Sequence, residues 1–324
     1  RDEIREVLHD YFDDEFNSRF KAFHGNKTMI HRVPLEAIGP NHQEHADGHE
    51  KLTWQGLGMG QDITFPIYGH RDQFGGFWHI MRLMPDVRNR LAMVHHYLDL
   101  IEARNFYISL QLIVDLGTEN VDMIKVHETL RLDAAPEYTL ADWPAGRHLY
   151  SKHNTPIESA WKFQRDGEGH NIKEALLQGK NHGVYLPNDP LHVQTIYYIW
   201  VPLIQKRLNS YIEYYNGHRL ARSKNKVNPS GHAPIYMMAN PHDVKPGARD
   251  CRIRVRPELV RHLREAYGGM AARERALRFI SRDFEAEADR AFQCLRLPVA
   301  TLSNAWEIFS VLVEEIKRVR EYGE

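Results

Sequence analysis

The chain has 324 residues, 42% of them hydrophobic and 26% charged, which is enough for one large domain or two with a buried core. No apolar run approaches the length of a membrane span, and a net charge of -1 excludes strong whole-chain attraction to nucleic acid, so any such contact has to come from local basic patches. Two cysteines, Cys251 and Cys294, supply neither a disulfide framework nor a zinc cluster, which suits a reducing compartment, and Arg1 as first residue points to a piece of a longer protein.

Residues 1 to about 40 read as a charged helix, with Ile4, Val7, Leu8, Tyr11 and Phe12 on one face, followed by a turn-rich linker ending at Ile38-Gly39-Pro40-Asn41. Residues 52–60 and 63–68 have the texture of strands, and Gly75-Gly76 separates the second from a third apolar run over 77–83. Leu91, Val94, Leu98 and Ile101 then recur at helical spacing. Residues 109–114 form a short strand of the fully buried type, with a helix carrying Val121, Ile124 and Leu130 after it. Strands in succession, then alternating with helices, predict an α/β chain with a mixed sheet and helices packed on its faces. Beyond Glu158 the pattern is mostly helical. Asp189-Pro190 opens a long helix to about Tyr215, which Pro202 should kink. Residues 221–250, rich in Pro, Gly, Asn and Lys, read as a loop, and 249–282 carry ten arginines against Asp250, Glu258, Glu265 and Glu274. Ser303 is placed to cap a last helix with Trp306, Phe309, Val313 and Ile316 on one face. The expected organisation is a helical segment and linker over 1–40, a core over 41–220, and a basic loop with a helical C-terminal extension over 221–324.

Three acids stand in settings that suit metal-dependent phosphoryl transfer. Asp47 lies in His45-Ala46-Asp47-Gly48-His49, Asp115 ends an apolar run before Leu116-Gly117, and Glu158 sits at a helix start. An acid that follows a buried strand emerges at the carboxyl edge of the sheet, where open α/β sheets place ligands. Three such carboxylates can hold a pair of hard divalent cations, which stabilise the attacking and leaving oxygens of an in-line displacement. Each acid also has a purely structural alternative. Asp115 can be a turn aspartate bonded to its own backbone. Glu158 can close a capping box with Thr155 as N-cap and Pro156 at the first helical position. His42, His45 and His49 would suit zinc only on a helix, which Gly48 and the strand pattern oppose, so they are expected to be solvated; His95, His96 and His192 are expected at the surface or core edge. Lys162 and Arg165, one and two turns beyond Glu158, can hold phosphates beside the metals or form an ordinary charged face. The arginines of 249–282 likewise offer an interaction surface for nucleic acid or protein, or pair with acids inside the protein.

The stretch from about Asn41 to Met238 resembles the integrase core of the DDE superfamily of integrases and transposases, and looks most like the eukaryotic integrase-core proteins related to retroviral and retrotransposon integrases. Asp47-Gly48-His49-Glu50-Lys51-Leu52 matches the first acid, Ile67-Tyr68-Gly69 with Asp72 the next strand and turn, and Asp115-Leu116-Gly117-Thr118-Glu119-Asn120 the second acid and its turn. His153-Asn154 with Ile157-Glu158 and Trp161 matches the third motif. The run 199–204, then Tyr215-Asn216-Gly217-His218-Arg219 and Asn228-Pro229-Ser230-Gly231, is similar to the group's closing helix and the loop after it. The resemblance implies an RNase H-like fold with N- and C-terminal helical extensions. It also implies polynucleotidyl transfer on DNA with two Mg²⁺ or Mn²⁺ ions held by Asp47, Asp115 and Glu158, and a nuclear location, or a cytoplasmic one before nuclear entry. DNA is the expected partner, with homo-oligomerisation left open and no membrane. Gly75-Gly76, where relatives tend to carry Ser-Arg, and Thr155-Pro156 and Ser159, where they carry arginine, depart from the pattern at basic positions near the site. That departure keeps a second function in view: a domesticated, catalytically weak or inactive integrase core serving as a DNA- or protein-binding scaffold.

Overall fold

A computed structural model describes residues 36–50, 52, 59–60, 63–149, 155–223 and 226–323, apart from the side chains of Leu149, Thr155, Phe163 and Arg165. The helix expected near the N-terminus, most of the strand expected over 52–60, and His153-Asn154 lie outside the described residues. The described residues of 37–223 and 228–323 form one compact unit.

Within this unit, β1 (Gln43–His49) lies at the centre of a five-stranded mixed sheet of order β3-β2-β1-β5-β6. On one side β1 pairs antiparallel with β2 (Ile67–Asp72), which pairs antiparallel with β3 (Trp78–Leu83). On the other it pairs parallel with β5 (Gln111–Asp115), and β5 pairs parallel with β6 (Gly146–Leu149). Between β3 and β5 come α1 (Arg90–Ala103) and the two-residue β4 (Tyr107–Ile108); α2 (Val121–Ala134) is the crossover between β5 and β6. The second strand was expected over 63–68 and is found four residues later. Its Gly69-His70-Arg71-Asp72 end is polar enough to read as a turn, yet the sheet buries it because partners are supplied: Glu44 for His70, and the Asn41 and Gly75 amides for Asp72.

Because parallel strands are covered on both faces, two cores flank the sheet. On one face Ala46, Tyr68, Leu112 and Val114 pack against α1, α2, α8 (Pro257–Ala266) and α9 (Gly269–Leu277). On the other, Ile67, Trp78 and Met81 pack against α3 (Thr155–Gln164), α4 (His170–Asn181), α5 (Pro190–Gly217), α10 (Arg282–Cys294) and α11 (Ala305–Tyr322). The long helix α5 starts where expected, with Asp189 Oδ1 accepting from the Leu191 amide at 2.9 Å, and runs through Pro202.

This double cover corrects the histidine expectations. His42, His45 and His49 are buried in and beside the central strand, and His95, His96 and His192 are buried too. The α1 helix is covered by the sheet on one side and by α8 and α9 on the other, so its second histidine-bearing face never meets water. The arginines of 249–282 mostly take the internal alternative. Arg264 and Arg273 converge with Arg82 on Asp99, clamping α8 and α9 to α1. Arg256 pairs with Asp133, Arg252 with Asp250, Arg261 with Glu258, and Arg278 and Arg282 with Glu274. The 221–250 stretch is not wholly loop: it contains the short helices α6 (Pro234–Ala239) and α7 (Pro241–Val244), linked by β7 (Ile253–Arg254) to α8. The last helix begins at Ala305, with Asn304 rather than Ser303 as its N-cap, because Thr301 and Asn304 close the preceding turn on each other.

Candidate functional site

The β1–β5 pairing brings the first two acids together. Their register aligns Gln43 with Gln111, Glu44 with Leu112 and His45 with Ile113; continued by two residues, it sets Asp47 beside Asp115. Alternation along a strand then points both carboxylates to the same face, the one covered by α3. Glu158 reaches it from the first turn of α3, where it is exposed. Asp47, Asp115 and Glu158 line one cleft of about 350 Å³, together with Gly48, His49, Glu50, Tyr68, Arg88, Glu119, Asn120 and Trp161.

Trp161 organises the cleft floor. Its Nε1–H donates to Asp47 Oδ2 at 2.9 Å, and its ring stacks on His49 with centroids 4.9 Å apart and planes 15° from parallel. The indole can lie this low because the residue opposite Asp47 in β2 is Gly69. A Cβ there would stand 2.7 Å from Trp161 and 2.8 Å from Trp78. The far wall is tied by Tyr68, whose hydroxyl donates to Asn120 Oδ1 at 3.0 Å, and by Asn120 Nδ2, which reaches the Asp115 carbonyl at 3.4 Å.

Electrostatically the cleft is acidic. Among the described residues its lining holds Asp47, Glu50, Asp115, Glu119 and Glu158 against one cation, Arg88, which pairs with Glu50 at 3.3 Å. The Asp47 carboxyl is pushed up to about 8, first by burial and then by the charges of Asp115 and Glu158; the Trp161 bond opposes the rise. The Tyr68 hydroxyl is likewise held protonated, by burial and then by Asp47, Glu119 and Asp115. Chemically this is a hard-oxygen donor set, the kind that suits Mg²⁺ or Mn²⁺ rather than zinc. Among the described residues no three His, Cys, Asp or Glu side chains form a closed metal-ligand group.

Of the two basic candidates, Lys162 is not among the residues that line the cleft. Lys162 is exposed one turn beyond Glu158, and the Arg165 side chain lies outside the described residues, in a π-helical turn over Arg165–Gly169. The capping-box alternative for Glu158 depends on the Thr155 side chain, which also lies outside them. Sequence reasoning did not assign cleft roles to Trp161, Tyr68, Asn120 or His49. The i, i+3 spacing of Glu158 and Trp161 was the one available signal, since it puts both on one helix face. A larger groove of about 820 Å³, walled by Tyr197, Val201, Pro202, Phe279, Ile280 and Phe292, contains none of the three acids.

No protein-family model matches the chain. No curated protein matches its sequence either.

Proposed function

We propose that the acidic cleft is a divalent-cation site for cutting or joining DNA phosphodiester bonds, carried on an RNase H-like fold. The observation that carries this reading is the convergence of three carboxylates, from two neighbouring parallel strands and one helix, in a cleft where burial, and then the charges of Asp115 and Glu158, raise the Asp47 carboxyl to about 8. Carboxylates that repel one another in a partly desolvated site are stabilised by bound cations and destabilised without them. The mixed, helix-flanked sheet supports the reading at the level of class. Asp47 and Asp115 would share the ions and Glu158 would complete the second position. Such ions polarise the phosphate, activate a water or 3′-hydroxyl and offset charge on the leaving oxygen. The chain's own contribution is to hold the three acids, to bury the floor with Trp161, and to fix the wall through Tyr68 and Asn120.

The rival reading, a scaffold for DNA or protein with weak or no catalysis, is favoured by the net charge of -1 and by Gly75-Gly76, Thr155-Pro156 and Ser159 standing at the basic positions of the resemblance. Calorimetric titration with Mn²⁺ at pH 8 separates the two. Wild type should bind Mn²⁺ and cleave or join DNA in its presence. Glu158→Gln should lose cleavage while keeping its melting temperature nearly intact, because the amide keeps the size and can still serve a cap but loses the charge a hard cation prefers. An ordered wild type that takes up no Mn²⁺ would end the enzymatic reading. Wild-type cleavage by Glu158→Gln would remove Glu158 from the ligand set.

A further inference from the structure

Most arginines of 249–282 are consumed by internal acids, but Arg219 and Arg222, before them in the chain, are not. Residues 218–249 hold Arg219, Arg222, Lys224, Lys226, Lys245 and Arg249 against a single acid, Asp243. That acid already accepts from the Tyr236 hydroxyl at 3.0 Å. Arg219 and Arg222 are both exposed, and neither makes an ion pair among the described residues. Arg219 spends only its Nε–H, on the Gly231 carbonyl at 2.7 Å.

Beside these guanidinium groups stand two exposed stacked ring pairs. Tyr214 lies on His218 with centroids 5.2 Å apart and planes 20° from parallel, and His232 lies on Tyr236 at 5.5 Å and 19°. Tyr214 is 67% and Tyr236 41% exposed. The backbone joins the pairs, since the Leu220 amide donates to the His232 carbonyl at 3.2 Å and the Ser223 amide to Ser230 Oγ at 2.9 Å. The end of α5 that carries Tyr214 is tied to the start of α3, the helix of Glu158. Arg71, whose guanidinium fits because Gly76 has no Cβ, donates to the Tyr215 hydroxyl at 3.2 Å and to the Pro156 carbonyl at 3.0 Å, two residues before Glu158.

From this combination we infer that the surface carrying Tyr214, His218, Arg219, Arg222, His232 and Tyr236 binds single-stranded DNA. Phosphates pair with the unpaired guanidinium groups and unstacked bases pile on the exposed rings, which is how strands are held without sequence readout. A duplex keeps its bases stacked internally and offers the rings nothing, so the arrangement favours single strands. The inference rests on the polynucleotide reading of the cleft for its choice of DNA, but its test is independent of catalysis.

The test is fluorescence anisotropy with a labelled dT 20-mer, the matching dT·dA duplex and the corresponding rU 20-mer, all in EDTA, so that no divalent ion contributes. Wild type should bind the dT strand more tightly than the duplex or the rU strand. Arg219→Ala/Arg222→Ala should lower the slope of log affinity against log salt by about 1.4, two single-strand phosphate contacts' worth. Tyr214→Ala and Tyr236→Ala should each weaken binding by about fivefold or more at unchanged slope. Tyr214→Phe, which keeps the ring, should restore wild-type affinity and so separates stacking from a folding defect. Equal binding of the duplex, tighter binding of the rU strand, displacement of dT by polyglutamate of equal charge, or wild-type affinity in the tyrosine variants would each overturn the inference. If it fails while Mn²⁺-dependent cleavage persists, the cleft reading stands alone; if the cleft takes no Mn²⁺ but the strand binds here, this surface stands alone.

Discussion

Asp47 is the residue on which the chemistry turns, and its ionisation makes a prediction without any ligand. Its carboxyl has an ordinary value of 3.8 and is raised to about 8 in the folded chain. Between those two values the folded state holds a proton that the unfolded state has lost. The contribution of Asp47 to stability is therefore greatest below about pH 4 and falls as pH rises towards 8. Asp47→Asn removes that slope and should be more stable than wild type at pH 8 by ~1–2 kcal/mol, with the gain shrinking towards pH 5. Urea unfolding of both proteins across this range checks it. The difference between the two curves matters rather than either alone, because His42 and His127, held low by burial, tilt both in the opposite sense. A variant no more stable than wild type at pH 8 would mean that Asp47 is not strained by its neighbours. At this scale the three acids were legible from their local settings, whereas the partners that hold them were not. Nothing in the string near Asp47 announces that an indole 114 positions away donates to it.

At the scale of elements, the position of α3 on the sheet depends on a missing side chain. Gly69 lies opposite Asp47 in β2, and the space above it is filled by Trp161 from α3 and Trp78 from β3. Gly69→Ala should cost about 1–3 kcal/mol through overpacking. It should also lift Trp161 off Asp47, which near-ultraviolet circular dichroism of the indole band would report. An alanine variant with wild-type stability and an unchanged indole band would show that α3 is free to shift. The elements themselves were largely readable: helical spacing gave α1 and α2, the apolar run gave β5, and Asp189-Pro190 gave the start of α5. The second strand was misplaced because its polar end is satisfied by distant groups. Glu44, buried at the other end of the same network, meets His70, Ser109 and Arg104 at 2.6–2.7 Å. Burial would raise its carboxyl, but the Arg104 guanidinium, the His70 hydrogen bond and the charges of His79 and His70 together outweigh this and hold it well below the usual range.

At the scale of the whole molecule, the C-terminal helices are part of the core that supports the cleft. Phe309 and Ile316 of α11 belong to the same buried cluster as Trp161 and Trp200. Trp306 donates its Nε1–H to the Ala175 carbonyl at 2.7 Å, over a Gly179 that leaves room for the ring. Phe309, 1% exposed, should therefore lose about 3–5 kcal/mol on replacement by alanine, enough to threaten folding in a marginally stable chain. Chemical denaturation measures this directly. A loss under 1 kcal/mol would mean that the last helix is an appendage rather than a wall of the core.

What the sequence determined by itself was local. Periodicity set most of the helices, an apolar run set β5, and strand-end or helix-start position singled out Asp47, Asp115 and Glu158, because each of these depends on neighbours within a few residues. What only the tertiary structure decided was everything that depends on register and cover. The 68-residue offset between Asp47 and Asp115 is without meaning along the chain, yet it is the register of β1 on β5 and sets the two carboxylates side by side. The histidines expected in solvent are buried because helices far along the chain close over the sheet, and of the two alternatives open to the arginines of 249–282 most take the internal one, Arg264, Arg273 and Arg256 reaching back to Asp99 and Asp133. A buried charge or imidazole is tolerated only where such partners converge, and convergence is a property of packing rather than of sequence.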